Sequence, residues 1–354
     1  MTTASVEIAG RCIGADAPTF IIAEIGCNHN GDIKLAKEMV IAAKKAGCDC
    51  VKFQTFTAEL FCSERDKMFT YTSQGKQITE PMFEMFKRLE FDRDQWAELI
   101  QFCDNNDITF FTTIQDPPDL GMMLELGLQA IKVGSDDFDH TENLVKFAAT
   151  DLPLIISKGL ADEKEVEGVL EIVTEHTDKL VVLHCVSLYP ASAEYLNLRQ
   201  IPVLAARYPN IVWGFSDHSI GSAAAATAVA LGAKVIEKHF TTDHNLAGPD
   251  HWFSANPAEM EELVQAVRTT EMSLGNGIIA PHPEELKSKA VMRRRIVAAR
   301  DLLCGEELDD GNVQFKRAEQ GLFLSDWKQI KGRKMGRDLQ SGTGIELKDV
   351  SGPS

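Results

Sequence analysis

The sequence lacks the marks of an exported or membrane-embedded protein. Its first ten residues, MTTASVEIAG, show neither a basic opening nor an apolar core, and no run approaches the roughly 18 apolar residues of a membrane span. We expect a cytoplasmic protein with no membrane partner. Cys-x-x-Cys pairs are also missing. The eight cysteines are scattered, and Cys48 and Cys50 sit one residue apart, which suits neither a zinc knuckle nor a disulfide framework. We expect them reduced, with Cys48, Cys50 and Cys185 packing as small hydrophobes in apolar runs. Positive charge is scarce: 36 Lys and Arg face 53 Asp and Glu, a net charge of −17. That balance repels nucleic acid and anionic lipid, so an anionic small ligand needs a local positive pocket. No internal repeat or low-complexity tract appears.

What is present is a globular composition, 44% hydrophobic and 25% charged over 354 residues, enough for one large domain and a small one. Between Phe20 and Phe240 short β-branched runs alternate with longer amphipathic stretches, as when each parallel strand is followed by a crossover helix. The strand candidates are 20–25, 50–56, 109–114, 130–134, 154–157, 180–186, 211–215 and 235–240. In the first helix Gly31-Asp32 opens, Leu35, Ala36, Met39, Val40 and Ala43 give one apolar face, and Gly47 closes; Gly232 closes the seventh. Residues 65–79 read as a loop over one rim, with extra helical material over 81–106. Eight such units predict a closed (β/α)8 barrel of the TIM type. An open doubly wound sheet is the alternative, but Gly26-Cys-Asn-His-Asn-Gly31 fits the dinucleotide fingerprint poorly. The barrel is assigned to 1–280, a linker to 281–294, and a small β-rich module with glycine punctuation to 295–354.

In such a barrel the chemistry sits at the carboxyl ends of the strands. Polar residues occupy nearly every one: Glu24; Lys52 and Gln54; Thr112 and Gln115; Lys132, Ser135 and Asp137; Ser157 and Lys158; His184, Ser187 and Tyr189; Ser216, Asp217 and His218; Glu237, Lys238 and His239. Lys52 and Gln54, like Glu237 and His239, are two apart and so share a face. Lys52, Lys132, Lys158 and Lys238 bring positive charge to the mouth and suit a ligand bearing phosphate and carboxylate; the competing reading is that one or two of them, Lys238 first by its parity, point away and pair with acidic neighbours. Glu24, inside an apolar run, must be paired, hydrogen-bonded or protonated. His218 and His239 end consecutive strands and can reach one divalent ion, though either alone reads first as a hydrogen-bonded structural histidine and two ligands specify the metal poorly. Asp250 lies in a Pro-Asp turn.

The segments Ala23-Glu-Ile-Gly-Cys-Asn-His-Asn-Gly31, Val51-Lys-Phe-Gln-Thr55, Gly214-Phe-Ser-Asp-His218, Glu237-Lys-His-Phe240 and Gly248-Pro-Asp-His251 resemble those of the sialic acid synthases, a group that includes N-acetylneuraminate, legionaminate and pseudaminate synthases. The tail from Arg295 resembles that family's antifreeze-like (SAF) domain. The resemblance implies a transferase that condenses phosphoenolpyruvate with an N-acetylmannosamine-type aldehyde, or with a 2,4-diacetamido-trideoxy hexose, releasing phosphate. A metal-dependent aldolase on the same barrel is the alternative chemistry. The resemblance also implies manganese or a similar divalent ion (Mg2+, Co2+) at His218 and His239, and a domain-swapped homodimer in which Arg317 acts on the sugar in trans. By motif, Lys52, Lys132, Ser135, Ser157, Ser187 and Ser216 hold phosphoenolpyruvate, Gln54, Tyr189 and Asp250 join Glu24 in facing the sugar, and Glu24 or Asp137 orients water. The chain departs from the family pattern at Gly134-Ser-Asp-Asp137, Ser157-Lys-Gly159 and Ser187, where the family has Gly-Ser-Gly-Glu, Ser-Thr-Gly and Asn.

Overall fold

A computed structural model of the chain describes residues 4–352. Two strands, β1 (Ser5–Ile8) and β2 (Arg11–Gly14), form an antiparallel hairpin that precedes the barrel. It was not anticipated, although its signal is plain: Val6 and Ile8 are buried between exposed neighbours, and Ala9-Gly10 supply two positive φ angles for the turn.

The barrel strands are β3 (Phe20–Gly26), β4 (Cys50–Thr55), β7 (Thr109–Ile114), β8 (Ile131–Val133), β9 (Leu154–Ser157), β10 (Leu180–Cys185), β11 (Val212–Asp217) and β12 (Val235–His239). All pair in parallel with their sequence neighbours, and β12 closes on β3. The fold is therefore the closed eight-stranded barrel, not the open sheet. Every residue of β3, FIIAEIG, is buried, because parallel barrel strands face side chains inward and helices outward. The helix Ile33–Lys45 starts where Asp32 accepts a hydrogen bond from the Lys34 N–H and buries Ala36, Met39, Val40 and Ala43. Gly47 follows at φ 90°, the left-handed geometry that ends helices.

Between β4 and β7 the expected loop is instead an antiparallel hairpin, β5 (Met68–Ser73) and β6 (Lys76–Pro81), turned by Gln74-Gly75 at positive φ. Helices Met82–Leu89 and Arg93–Asn105 follow, as the pattern over 81–106 predicts.

The chain divides into two compact units, Met1–Gly275 and Asn276–Ser354. The second begins with a helix, Pro283–Met292, in the segment assigned to the linker. It continues through β13 (Arg295–Ala298) and β14 (Val313–Lys316), paired antiparallel. Its own core gathers Ile296, Leu302, Leu308, Val313, Ile330, Met335, Leu339 and Ile345. All eight cysteines are free; Cys48 and Cys50 join the barrel core as expected, whereas Cys185 faces the mouth. Among the described residues no helix is long and apolar enough to cross a membrane.

Gly214 shows how tightly the barrel interior is filled. A Cβ on it would lie 2.6 Å from Leu183 Cδ2 and from the Val235 carbonyl oxygen. Overpacking of this kind costs about 3 kcal/mol, so Gly214→Val should lower the urea midpoint by that equivalent; an unchanged midpoint would show that the strands yield.

Candidate active site

Parallel register sets the site. His239, Glu24 and Lys52 are partners across β12, β3 and β4, and Ser216 lies beside Glu237 across β11 and β12. Paired residues share a face, so one turn of the barrel delivers an imidazole, a carboxylate and an ammonium to the same mouth. There a cavity of about 400 Å³ is lined by Glu24, Lys52, Gln54, Lys132, Ser135, Ser157, Ser187, Tyr189, Ser216, His218 and His239, and also by Thr113, Gln115, Asp136, Cys185 and Glu237.

The floor is ionic. Lys52 Nζ lies 2.8 Å from Glu24 Oε2 and 3.9 Å from Glu237 Oε2 and donates to Thr113 Oγ1 at 2.7 Å. Lys132 Nζ donates to Ser157 Oγ at 2.8 Å and lies 3.8 Å from Glu237 Oε1, which also accepts from Ser216 Oγ at 2.9 Å. Burial opposes the charge of Glu237, but Lys132 and Lys52 outweigh it and hold the carboxyl below its ordinary range. For Glu24 burial wins: despite Lys52, its pKa is pushed up to about 8. Burial draws Lys132 down. It also disfavours the charged form of Lys52, yet Glu237 and Glu24 raise it overall. With Glu24 protonated near neutral pH, two ammonium groups face one carboxylate. The surplus positive charge suits an anion.

The two imidazoles stand at one side with ring centroids 5.4 Å apart. His218 Nδ1 donates to the Val186 carbonyl at 2.9 Å, which leaves Nε2 free of the backbone. His239 Nδ1 is buried with no hydrogen-bond partner, and Asp250 Oδ2 lies 3.9 Å from it. Metal–nitrogen bonds of about 2 Å allow rings at this separation to share an ion. Among the described residues, however, no group of three or more His, Cys, Asp or Glu is arranged to hold one, so the pair would need further ligands from water or substrate. Tyr189 stacks on His218 at 4.2 Å. Cys185 Sγ lies 3.8 Å from His218 Nδ1; burial opposes its thiolate, but His218 draws the pKa below the ordinary value.

Three of the residues that the family resemblance assigns to the site do not line the cavity. Asp137 starts the turn into the helix Thr141–Ala148, its carbonyl accepting the His140 N–H, and its carboxylate lies 3.9 Å from His140 Nδ1; the neighbouring Asp136 is the one that faces in. Asp250 flanks His239 at the mouth, where burial lifts its pKa to about 6 against the pull of His218. Arg317 lies exposed just after β14 in the second unit. Parity sorts the others. Thr112 pairs with outward Phe53 and bonds Thr55 Oγ1 at 2.9 Å, so Thr113, beside Gln54, is the inward threonine. His184 also faces outward, bonded to the Leu196 carbonyl at 2.6 Å. Lys158 bonds Gln200 Oε1 at 2.7 Å, and Lys238 pairs with Asp217 at 3.0 Å, as its parity predicts.

A closed parallel barrel with ammonium, carboxylate and imidazole groups converging on one mouth defines a barrel enzyme for a small anionic ligand. A model described as the NeuB family matches residues 39–279, and a SAF domain model matches residues 293–351. The chain is 38% identical over 335 residues to N,N'-diacetyllegionaminic acid synthase of Legionella pneumophila, covering 93% of this chain and 94% of that one. It is 36% identical over 330 residues to N-acetylneuraminate-9-phosphate synthase of Mus musculus, covering 92% and 91%. The crystal structure of N-acetylneuraminic acid (sialic acid) synthetase from Leptospira borgpetersenii superposes with a TM-score of 0.73 at 32% identity, covering 82% of this chain and 98% of that one. The chain belongs to the NeuB family, and it is a transferase of the acid synthase type.

The Lys238–Asp217 pair is buried on both sides. Removing one partner of a buried pair strands the other charge and costs about 3 kcal/mol. Asp217→Ala should lose that much in urea unfolding, and adding Lys238→Met should recover most of it. A single variant as stable as the parent would contradict the outward, structural role of Lys238.

Proposed function

We propose that the protein condenses phosphoenolpyruvate with an N-acetylated amino-sugar aldehyde and water, giving a nine-carbon 2-keto-3-deoxy sugar acid and phosphate. The observation that carries this reading is the convergence of Lys52, Lys132, Glu24 and the two imidazoles on one cavity. Lys52 and Lys132 hold the phosphate and carboxylate, with Ser135, Ser157, Ser187 and Ser216 as hydroxyl partners. Ser187 Oγ is buried and without a partner, a donor that a bound anion would satisfy. Gln54, Tyr189 and Asp250 face the sugar.

In this reading C3 of phosphoenolpyruvate attacks the aldehyde carbon, forming the new carbon–carbon bond and leaving C2 electron-poor. Water adds to C2 as Glu24 takes its proton, and the tetrahedral adduct expels phosphate by C–O cleavage. Glu24 is preferred over Asp137 as the base because it lines the cavity and Asp137 does not. His218 and His239 would hold a divalent ion, manganese in our proposal, which when bound supplies Lewis-acid polarisation of the aldehyde oxygen. We place the enzyme in the cytoplasm, as a domain-swapped dimer in which Arg317 reaches the sugar of a second copy. The acceptor is N-acetylmannosamine in the first reading. A 2,4-diacetamido-trideoxy hexose is the second, favoured by relatives at 38% and 35% identity named N,N'-diacetyllegionaminic acid synthase.

Phosphate release from phosphoenolpyruvate should be measured with both sugars and with N-acetylmannosamine 6-phosphate. Release should depend on the acceptor, vanish with chelator and return with manganese. Silence with every acceptor would end the proposal, and aldehyde condensation without phosphate release would favour an aldolase.

The raised Glu24 pKa sets a pH dependence. A base with a folded pKa of about 8 gains its deprotonated, active form as pH rises through that value, so kcat/KM should climb through about pH 8 rather than through the ordinary carboxylate range. Glu24→Gln should abolish turnover and leave phosphoenolpyruvate binding nearly intact in calorimetry; retained turnover would remove Glu24 from the base role.

A further inference from the structure

The cavity is polar at its floor and apolar at its outer wall. Phe69, on β5, and Leu160, just after β9, both line it, and both are exposed, at 39% and 78%. β4 and β9 stand three places apart in the eight-membered ring, so the two side chains come to the mouth from well-separated loops.

Each is held there by specific structure. Phe69 stacks on Tyr71, whose hydroxyl donates to Glu80 at 2.7 Å, and Arg88 clamps the same carboxylate. The hairpin tip is tied to the loop after β12: Ser73 Oγ accepts the Gly248 N–H at 3.1 Å, and Gln74 Nε2 donates to the Asn245 carbonyl at 2.8 Å. Leu160 adopts φ 66°, a left-handed conformation that is unusual for a bulky residue and costs energy to maintain. The residue before it is closely confined. Gly159 fits so closely that a Cβ would lie 2.4 Å from both Ser135 Oγ and Ser187 Oγ. The turn is therefore pressed against the anion-binding serines, and Leu160 projects beyond them into the opening.

Lys52 and Lys132 are the lysines that line the cavity, each 2% exposed and paired with Glu237 on the floor, and among the described residues of one copy no arginine lines it. Within one copy, the outer wall offers a phosphate on the far end of the acceptor hydrocarbon side chains and the Asp136 carboxylate. Such a surface repels a dianion and welcomes a methyl group.

We infer that Phe69 and Leu160 are specificity-determining residues, an apolar clamp on the far end of the acceptor sugar that favours a methyl-bearing end over a phosphorylated one. The inference rests on the condensing reaction proposed above and names the acceptor class for the same site. The test uses the full chain, phosphate release at saturating phosphoenolpyruvate, and three acceptors: the 2,4-diacetamido-2,4,6-trideoxy hexose, N-acetylmannosamine and its 6-phosphate. Wild type should use the phosphorylated sugar worst, with the trideoxy sugar and N-acetylmannosamine both ahead of it. Phe69→Ser and Leu160→Ser should each raise KM for the trideoxy sugar about tenfold, the scale of a lost apolar contact. KM for phosphoenolpyruvate should stay within about twofold, a split that general loosening of the site would not produce. Phe69→Arg should narrow the preference against the phosphorylated sugar about tenfold. Thermal midpoints check that these exposed replacements leave the fold intact. Wild-type preference for the phosphorylated acceptor, or an acceptor KM unmoved in both serine variants, overturns the clamp while the condensing reaction stands. Absence of phosphate release with all three acceptors overturns both.

Discussion

The site is organised around a carboxylate that cannot be left alone. Glu237 is buried on the barrel floor between the ammonium groups of Lys52 and Lys132, and a carboxylate so far from water is tolerable only with such partners. The dependence runs both ways: without Glu237 the two lysines would face one another across the floor with only Glu24, whose own proton is retained by burial. This triad couples three strands that are not all neighbours. β12 supplies the carboxylate, β4 and β8 the ammonium groups, and the closed ring brings them together. Barrel closure and site electrostatics are therefore one constraint, because an open sheet would leave β12 and β8 far apart.

Much of this was legible in the sequence because parallel strands obey simple parity. Lys52 and Gln54 face in together, Glu237 and His239 do the same, and Lys238 turns out to its acidic partner. Parity failed where the strand boundaries alone gave no phase. In Thr112-Thr113 either residue could face the lumen, and only the register with Gln54 selects the second. Asp136 and Asp137 lie in a turn, where period-2 reasoning has no force. Glu237 stood among the mouth residues by position, but its place between two lysines needs the distance across the barrel, which no local pattern contains. The hairpin of β5 and β6 was hidden for another reason: its strands are largely exposed, so they lack the hydrophobic alternation that marks a half-buried strand.

The same geometry sorts the departures from the family pattern by consequence. Lys158 follows an inward serine and so points outward, where Gln200 receives it; the replacement leaves the lining of the cavity untouched. Ser187 does line it, with a hydroxyl that has no partner. Asp136 also lines it, and its carboxylate folds back over the Gly134 backbone, adding negative charge at the rim rather than at the floor. The chain thus keeps its positive charge deep, beside Glu237, and places carboxylate and hydrocarbon near the opening. A ligand that is anionic at one end and uncharged at the other is oriented by that gradient before any single contact forms, because the charged end is stabilised only at the bottom of the cavity. The order of charge along the barrel axis, more than the identity of any one residue, sets which end of such a ligand faces the floor.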